Sequence, residues 1–480
     1  MTHAITDPAP HASVPELDDV LDELGSELER HLDDLQAFTR IPGISADGAH
    51  TDDVIRSAGF ARDLLKQAGL TDARIVAAPD GLPAVIASLP AASPDAPTVL
   101  LYAHHDVQPV GPGWTGDAFE PVRRGERLYG RGIADDKAGV LVHVAALGAW
   151  LRARGAPPVN VRVLIEGEEE VGSPTLSRLL AEHLSALEAD VLVVTDGLNH
   201  GVGRPALTCL LRGRADVAIE LAATATSVHS GTVGGLVRDP LLGMARVLAS
   251  LTDADGEIAI PDFAADAYVP DAAERLRLTD AGFDEVRFRA DYGVIPGVAL
   301  GGGERHPLET LWLRPAVSIE GLDAPAVDGA SSTLVGTTRA RVSIRLAPGQ
   351  DPVRARERLA TWLEAQVPWG LSATITPGVA MPPYHTEPTS PAAEAALTAL
   401  SEGYGRQAVA AGVGGSIPFV AEASAALGGI PALITAVADP LTNAHGPDES
   451  LDIPGFLGAC RSEVILLARL ADALGTDPSA

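Results

Sequence analysis

Cysteine is all but missing from this 480-residue chain, which carries only Cys209 and Cys460. Two thiols cannot build a disulfide framework, and a reducing cytoplasm fits them. Neither lies near the acidic motifs described below, so an iron–sulfur centre is not expected. Positive charge is scarce too. Lys and Arg number 35 against 64 Asp and Glu, a net charge of −29, with a pI near 4.7. Phosphate binding needs clustered cations, so nucleic acid is not an expected partner. Long apolar runs are missing as well. The longest, near 140–151 and 425–438, are too short to span a bilayer. Residues 1–20 have neither a basic start nor an apolar core, so no signal peptide is expected. The expectation is a cytoplasmic protein with no membrane partner. Lysine occurs only at Lys66 and Lys137, which makes Lys137, beside two aspartates, conspicuous.

What is present is a chain long enough for two domains, with 46% hydrophobic residues. Residues 1–14 are rich in Pro, Ala and His and read as disordered. Apolar spacing predicts one helix over 16–38 and another over 52–68. Strands are expected over 73–78, 84–89, 98–103, 159–165, 190–195 and 431–437. Several are continuous apolar runs, as in strands covered on both faces. A helix follows Lys137 and stops at Gly155-Ala156-Pro157-Pro158. From about Pro205 the style changes. Stretches 214–222, 313–319 and 338–346 alternate, as strands with one covered face do. The fold class is therefore α/β: a mostly parallel catalytic sheet flanked by helices, with a smaller α+β sandwich inserted. Residues 15–205 and 385–480 form the first domain and 206–384 the insert.

Polar residues gather where the buried runs end. The 98–103 strand runs into His104-His105-Asp106. In an extended segment His104 and Asp106 share a side, so Asp106 can orient a ligating His104. The 159–165 strand runs into Glu166-Gly167-Glu168-Glu169-Glu170, where charge is costly unless a cation compensates. Asp196 ends the next strand and His445 follows the last. Asp135 joins from the Gly-rich entry to the helix. In open α/β sheets the strand ends form the ligand site. Two histidines with several carboxylates suit two zinc-like ions with mixed nitrogen and oxygen ligands.

The segments Tyr102–Pro109, Tyr129–Lys137, Glu166–Ser173, Val228–Gly231, Gly414–Pro418 and Ala444-His445 together resemble the co-catalytic di-zinc peptidases. That superfamily includes carnosinase-type dipeptidases, acetylornithine deacetylase, succinyl-diaminopimelate desuccinylase and carboxypeptidase G. The dipeptidase branch is most similar, through Asp135-Asp136-Lys137, 343–348 and 414–418. The resemblance implies that Asp135 bridges both metals. His104 and Asp196 would complete one site, and Glu170 with His445 the other. Asp106 would orient His104. Glu169 would take a proton from a water shared by the ions and pass it to the leaving amine. The Asp135–Asp136 peptide would be cis. His229 would reach a partner subunit's site and stabilise the oxyanion. Thr333, Arg345 and Ser416 would hold the substrate's carboxylate end. The insert would act as a lid and dimerise. Ser227, Ser332 and Ala138 depart from the family's usual residues and bear on substrate choice.

The implied activity is metal-dependent hydrolysis of dipeptides or short peptides by a homodimer with two divalent ions per chain. Zinc comes first, with manganese or cobalt as alternatives. An N-acyl amino acid deacylase is the second reading, and a non-catalytic binding protein the third.

Overall fold

A computed structural model describes residues 17–415 and 417–475. The stretch expected to be disordered, 1–14, and Ser416, expected at the substrate's carboxylate, lie outside the described residues. The chain divides into two compact units. The first takes in Met1–Leu207, Pro388–Val409 and Ala423–Ala480, the second Thr208–Glu387 and Ala410–Glu422.

The strands that matter for the argument are, in chain order, β1 (Arg74–Val76), β2 (Ala84–Leu89), β3 (Thr98–His104), β4 (Asn160–Glu166), β5 (Val191–Val194), β6 (Gly213–Ala222), β7 (Ala316–Leu322), β8 (Thr337–Leu346), β9 (Ser372–Met381) and β10 (Ala432–Ile434). In the first unit the order is β1-β2-β4-β3-β5-β10. β3 pairs in parallel with both β4 and β5, and β10 in parallel with β5. The edge pairs β1–β2 and β2–β4 are antiparallel. From Val99 to His104 every residue of β3 is buried, as its unbroken apolar run demands. Parallel strands send their C-terminal ends to one rim, and three of them release the polar residues singled out above.

The Lys137–Arg154 helix is buried from Lys137 through Trp150. It packs against Asp18–Ser26, Thr51–Ala68 and Ile453–Leu474 and against β3. A helix enclosed on all sides needs no polar stripe, and this one has none before Arg152. Gly155, with φ +77°, ends it by sending its N–H to the Leu151 carbonyl.

Two local expectations change. The single helix predicted over 16–38 is two, Asp18–Ser26 and Leu28–Thr39, parted at Glu27. Gly25 weakens the join, and the Ser26 hydroxyl donates to the Glu23 carbonyl instead of leaving the helix to continue. The strand predicted from Leu313 starts later. Pro307–Leu313 is a helix, with Pro307 in its first turn and Leu308 and Trp312 buried on one face. β7 begins only after Pro315.

The second unit is built on an antiparallel sheet ordered β7-β8-β6-β9. Val217, Ile219 and Leu221 of β6 and Val342, Ile344 and Leu346 of β8 point to one side. There they meet Met244 and Val247 of the Pro240–Ala249 helix and Leu359 and Leu363 of Pro352–Ala365. The other face carries Arg339 and Arg341, so the alternation read in the sequence matches a sheet covered on one side only.

Candidate metal centre

The site lies entirely in the first unit. His104 closes β3 and is fully buried. Its Nδ1 lies 3.1 Å from the Asp106 main-chain oxygen, to which it donates. In the neutral ring, the form that binds a metal, a proton on Nδ1 leaves a lone pair on Nε2. That atom is buried without a hydrogen-bond partner. It faces Asp135 Oδ1 at 3.2 Å and Asp196 Oδ1 at 3.9 Å. The other oxygen of Asp135, Oδ2, stands 3.1 Å from His445 Nε2, which is 3.3 Å from Glu170 Oε2. Asp135 thus lies between the two histidines, one oxygen toward each.

Asp106 does two things. Its carbonyl holds the His104 ring, whereas its carboxylate, 3.4 Å from Nδ1, accepts the main-chain N–H groups of Glu169 at 3.3 Å and Glu170 at 3.1 Å. Gln108 Nε2 donates to Glu170 Oε2 at 2.8 Å. The segment after β3 therefore orients the two glutamates that follow β4.

Carboxylates outnumber imidazoles here, and the electrostatics record it. Burial, aided by neighbouring carboxylates, pushes Asp196 and Glu169 well above the usual carboxylate range. Burial pushes Asp135 up as well, but the imidazoles of His104 and His445 outweigh it and hold Asp135 low. Those contacts with Asp135 and Glu170 raise His445 to about 11. Ligand atoms of His104, Asp135 and Glu170 fall within 4.8 Å of one another, as do those of His104, Asp136 and Asp196. Two ligands of a tetrahedral zinc, each ~2.1 Å from it, stand about 3.4 Å apart. The 3.1–3.3 Å spacings of Asp135 with His104 and His445, and of His445 with Glu170, match that figure. The partnerless Nε2, the spacings and the surplus negative charge all fit divalent cations.

The sequence profile of peptidase family M20/M25/M40 matches residues 100–471. The chain belongs to that family. It is 32% identical over 363 residues to the cysteinylglycine-S-conjugate dipeptidase of Corynebacterium striatum, covering 75% of this chain and 78% of that one. It is 27% identical to the Cys-Gly metallodipeptidase DUG1 of Saccharomyces cerevisiae, covering 88% and 92%. Human carnosine dipeptidase 1 has a similar fold, with a TM-score of 0.83 over 95% of this chain and 99% of that one at 23% identity. The M20 metallo-carboxypeptidase Sso-CP2 of Sulfolobus solfataricus gives 0.82 over 92% and 99%, at 25% identity. The protein is a metal-dependent peptidase of the M20 type. Among its described residues no helix is long and apolar enough to cross a membrane.

Of the substrate-side residues expected from the sequence, His229, Thr333 and Arg345 belong to the second unit of this M20 peptidase. His229 and Thr333 are direct partners in a short antiparallel pairing. The exposed His229 ring accepts the Gly231 N–H on Nδ1 at 3.1 Å. Arg345 lies on β8 opposite Arg214 of β6 and Ala316 of β7.

Residues without a role in the sequence reading also shape the site. The side chain of Asp136 accepts the His104 N–H at 3.2 Å through Oδ2, while Oδ1 is buried without a partner. The Asp135–Asp136 peptide is cis. Gly139 makes room for Asp136, since a Cβ there would stand 2.2 Å from Asp136 Oδ1. Lys137 turns away from the site and donates to the carbonyls of Phe38 and Ile41. Burial lowers its ammonium to about 7. Glu449 and Arg131, both fully buried, lie under the Asp135 loop. Glu449 lies four residues after His445, but nothing in one sequence says which loop a buried glutamate will meet.

Proposed function

We propose that this peptidase hydrolyses the peptide bond of dipeptides with two divalent ions, zinc first, seated on the rim described above. The observation that carries the reading is the division of Asp135, with Oδ1 toward His104 Nε2 and Oδ2 toward His445 Nε2. Asp135 would offer one oxygen to each of two ions. His104 and Asp196 would help hold one, Glu170 and His445 the other. When bound, the ions would supply Lewis-acid polarisation of the scissile carbonyl and a more acidic water.

The chain's own groups do the rest. Asp106 holds the His104 ring by its carbonyl and the Glu169-Glu170 backbone by its carboxylate. Glu169 takes the proton of the attacking water and returns it to the leaving amine. His229, with Nδ1 occupied by the Gly231 N–H, carries its neutral-state proton on Nε2, a donor suited to the developing oxyanion. Thr333, Arg345 and Ser416 hold the substrate's carboxylate. The peptidase works as a homodimer in which His229 serves the partner's centre. Its two cysteines, both buried and unpaired, support a reducing, cytoplasmic setting.

A substrate panel with added Zn²⁺, Mn²⁺ or Co²⁺ tests the reading. It sets dipeptides, Cys-Gly and β-Ala-His among them, against N-acetyl and N-succinyl amino acids. Turnover of the dipeptides with the acyl amino acids left intact is the expected result. The reverse order makes the protein a deacylase.

A further inference from the structure

Glu449 accepts four hydrogen bonds at full burial. Three come from main-chain N–H groups of the loop that delivers Asp135: Gly132 at 3.0 Å, Ala134 at 3.1 Å and Asp135 itself at 3.1 Å. The fourth comes from Arg131 Nη1 at 2.7 Å. Arg131 Nη2 in turn donates to the carbonyls of His445 at 3.0 Å and Gly446 at 3.2 Å. One ion pair therefore grips the backbone of two loops far apart in sequence, and each loop ends in a histidine or aspartate of the candidate metal centre.

Neither loop is held by packing alone. His445 has φ +63°, a left-handed conformation that a non-glycine residue keeps only where contacts impose it. Its side chain is 58% exposed, so the surrounding core does not impose it. The carbonyl grip of Arg131 is one contact that can, beside the turn closed by the Gly446 N–H on the Asn443 carbonyl at 2.9 Å. On the other side, Gly132 has φ +77° and presses on Val107, where a Cβ would stand 2.3 Å from a side-chain methyl. Glu449 collects the N–H groups of that bend. A buried Arg–Glu pair is a poor source of stability in itself, because desolvation offsets its attraction. Its value here lies in what it positions.

We propose that Glu449 and Arg131 are positioning residues that clamp the Asp135 and His445 loops together and set the affinity for the ion these two side chains share with Glu170. The proposal rests on the metal reading given above. His104 and Asp196 sit at the ends of β3 and β5 and receive no hydrogen bond from the clamp, so the ion they hold depends on it less.

Glu449→Gln and Arg131→Lys test this. Glutamine keeps one acceptor oxygen but turns an amide N–H₂ toward donors. Lysine keeps the charge but gathers its donors on one nitrogen, whereas Arg131 reaches Glu449 from Nη1 and the two carbonyls from Nη2. Zinc bound per chain is measured by elemental analysis after equilibration across zinc-buffered solutions, beside the unfolding temperature of each chelated protein. The expected result is two ions in the wild type, with the weaker-held ion bound about 10–100-fold less tightly in both variants. The second ion, which also uses Asp135 but keeps His104 and Asp196 at the ends of their strands, should weaken less. A pair that is merely structural would lower the unfolding temperature of the chelated protein and leave zinc affinity unchanged, which overturns the clamp. If Glu449→Gln does not fold, Arg131→Lys carries the same comparison. Wild type that binds two ions beside variants that bind them equally well refutes the clamp alone. Wild type that binds none refutes the metal reading and the clamp with it.

Discussion

His104 Nε2 and Asp135 Oδ1 stand 3.2 Å apart, and the buried nitrogen makes no hydrogen bond. A lone pair and a carboxylate aimed at one point call for a Lewis acid between them. The chain reaches that arrangement by ordinary means. A buried parallel strand ends in His104, a glycine-rich loop enters a buried helix at Asp135, and the Asp106 carbonyl sets the ring's tautomer. The expected consequences follow from those same contacts.

Glu169→Gln should keep both ions, because Glu169 is assigned no ligand role, and should lose turnover by roughly 10²–10⁴-fold. Metal content and steady-state rates measured on the same preparation decide it. Turnover near the wild-type rate would remove Glu169 from the role of base.

Asp106→Ala should weaken metal binding about 10–100-fold while the protein stays folded. It strips the acceptor from the Glu169 and Glu170 N–H groups. The His104 ring keeps its main-chain carbonyl, so the loss should fall mainly on the glutamate side. Zinc titration monitored by chelator competition reads this. An unchanged affinity would show that the glutamate loop holds itself.

Much of the candidate centre was legible in the sequence, because its candidate ligands sit where apolar runs stop. His104, Glu169, Glu170 and Asp196 each follow a strand whose burial could be read from composition alone. The finer couplings were not legible. Extended geometry placed His104 and Asp106 on one side, but could not say that the Asp106 carbonyl would take the ring while the carboxylate crossed to another loop. Glu449 drew no reading at all, since its partners come from a loop more than three hundred residues earlier. Conspicuous Lys137 turned out to brace the end of the Leu28–Thr39 helix and the Ile41 carbonyl beyond it, not to face the acids. In the second unit, alternation found the sheet. It missed the Pro307–Leu313 helix, whose 7 residues are too few for a periodic signal.

His31 should make stability sensitive to acid. It is buried with neither ring nitrogen hydrogen-bonded, and burial, aided by Arg30 and Arg152, lowers it from 6.5 to about 4. Its folded pKa is depressed, so the unfolded chain takes up the proton first as pH falls through 6.5. Stability attributable to His31 is intact above that pH and is lost progressively toward 4. The loss at pH 5 is about 2 kcal/mol. His31→Leu should therefore raise the unfolding temperature relative to wild type more at pH 5 than at pH 7.5. An equal shift at both values would show that His31 is not the group that titrates.

Mixing Glu169→Ala with His229→Ala chains should restore roughly a quarter of wild-type activity if His229 serves the partner's centre. Half the dimers are then mixed, and one of their two centres has both groups intact. Activity is read after co-refolding, with subunit exchange shown by differently tagged chains. Exchange without recovery would place His229 with its own chain.

The most direct test of the account is the metal content of gently purified protein, measured together with dipeptide hydrolysis before chelation, after chelation and after zinc is returned. The account predicts two ions per chain, loss of hydrolysis on their removal and its return with zinc. Full hydrolysis by protein shown to be metal-free would contradict it.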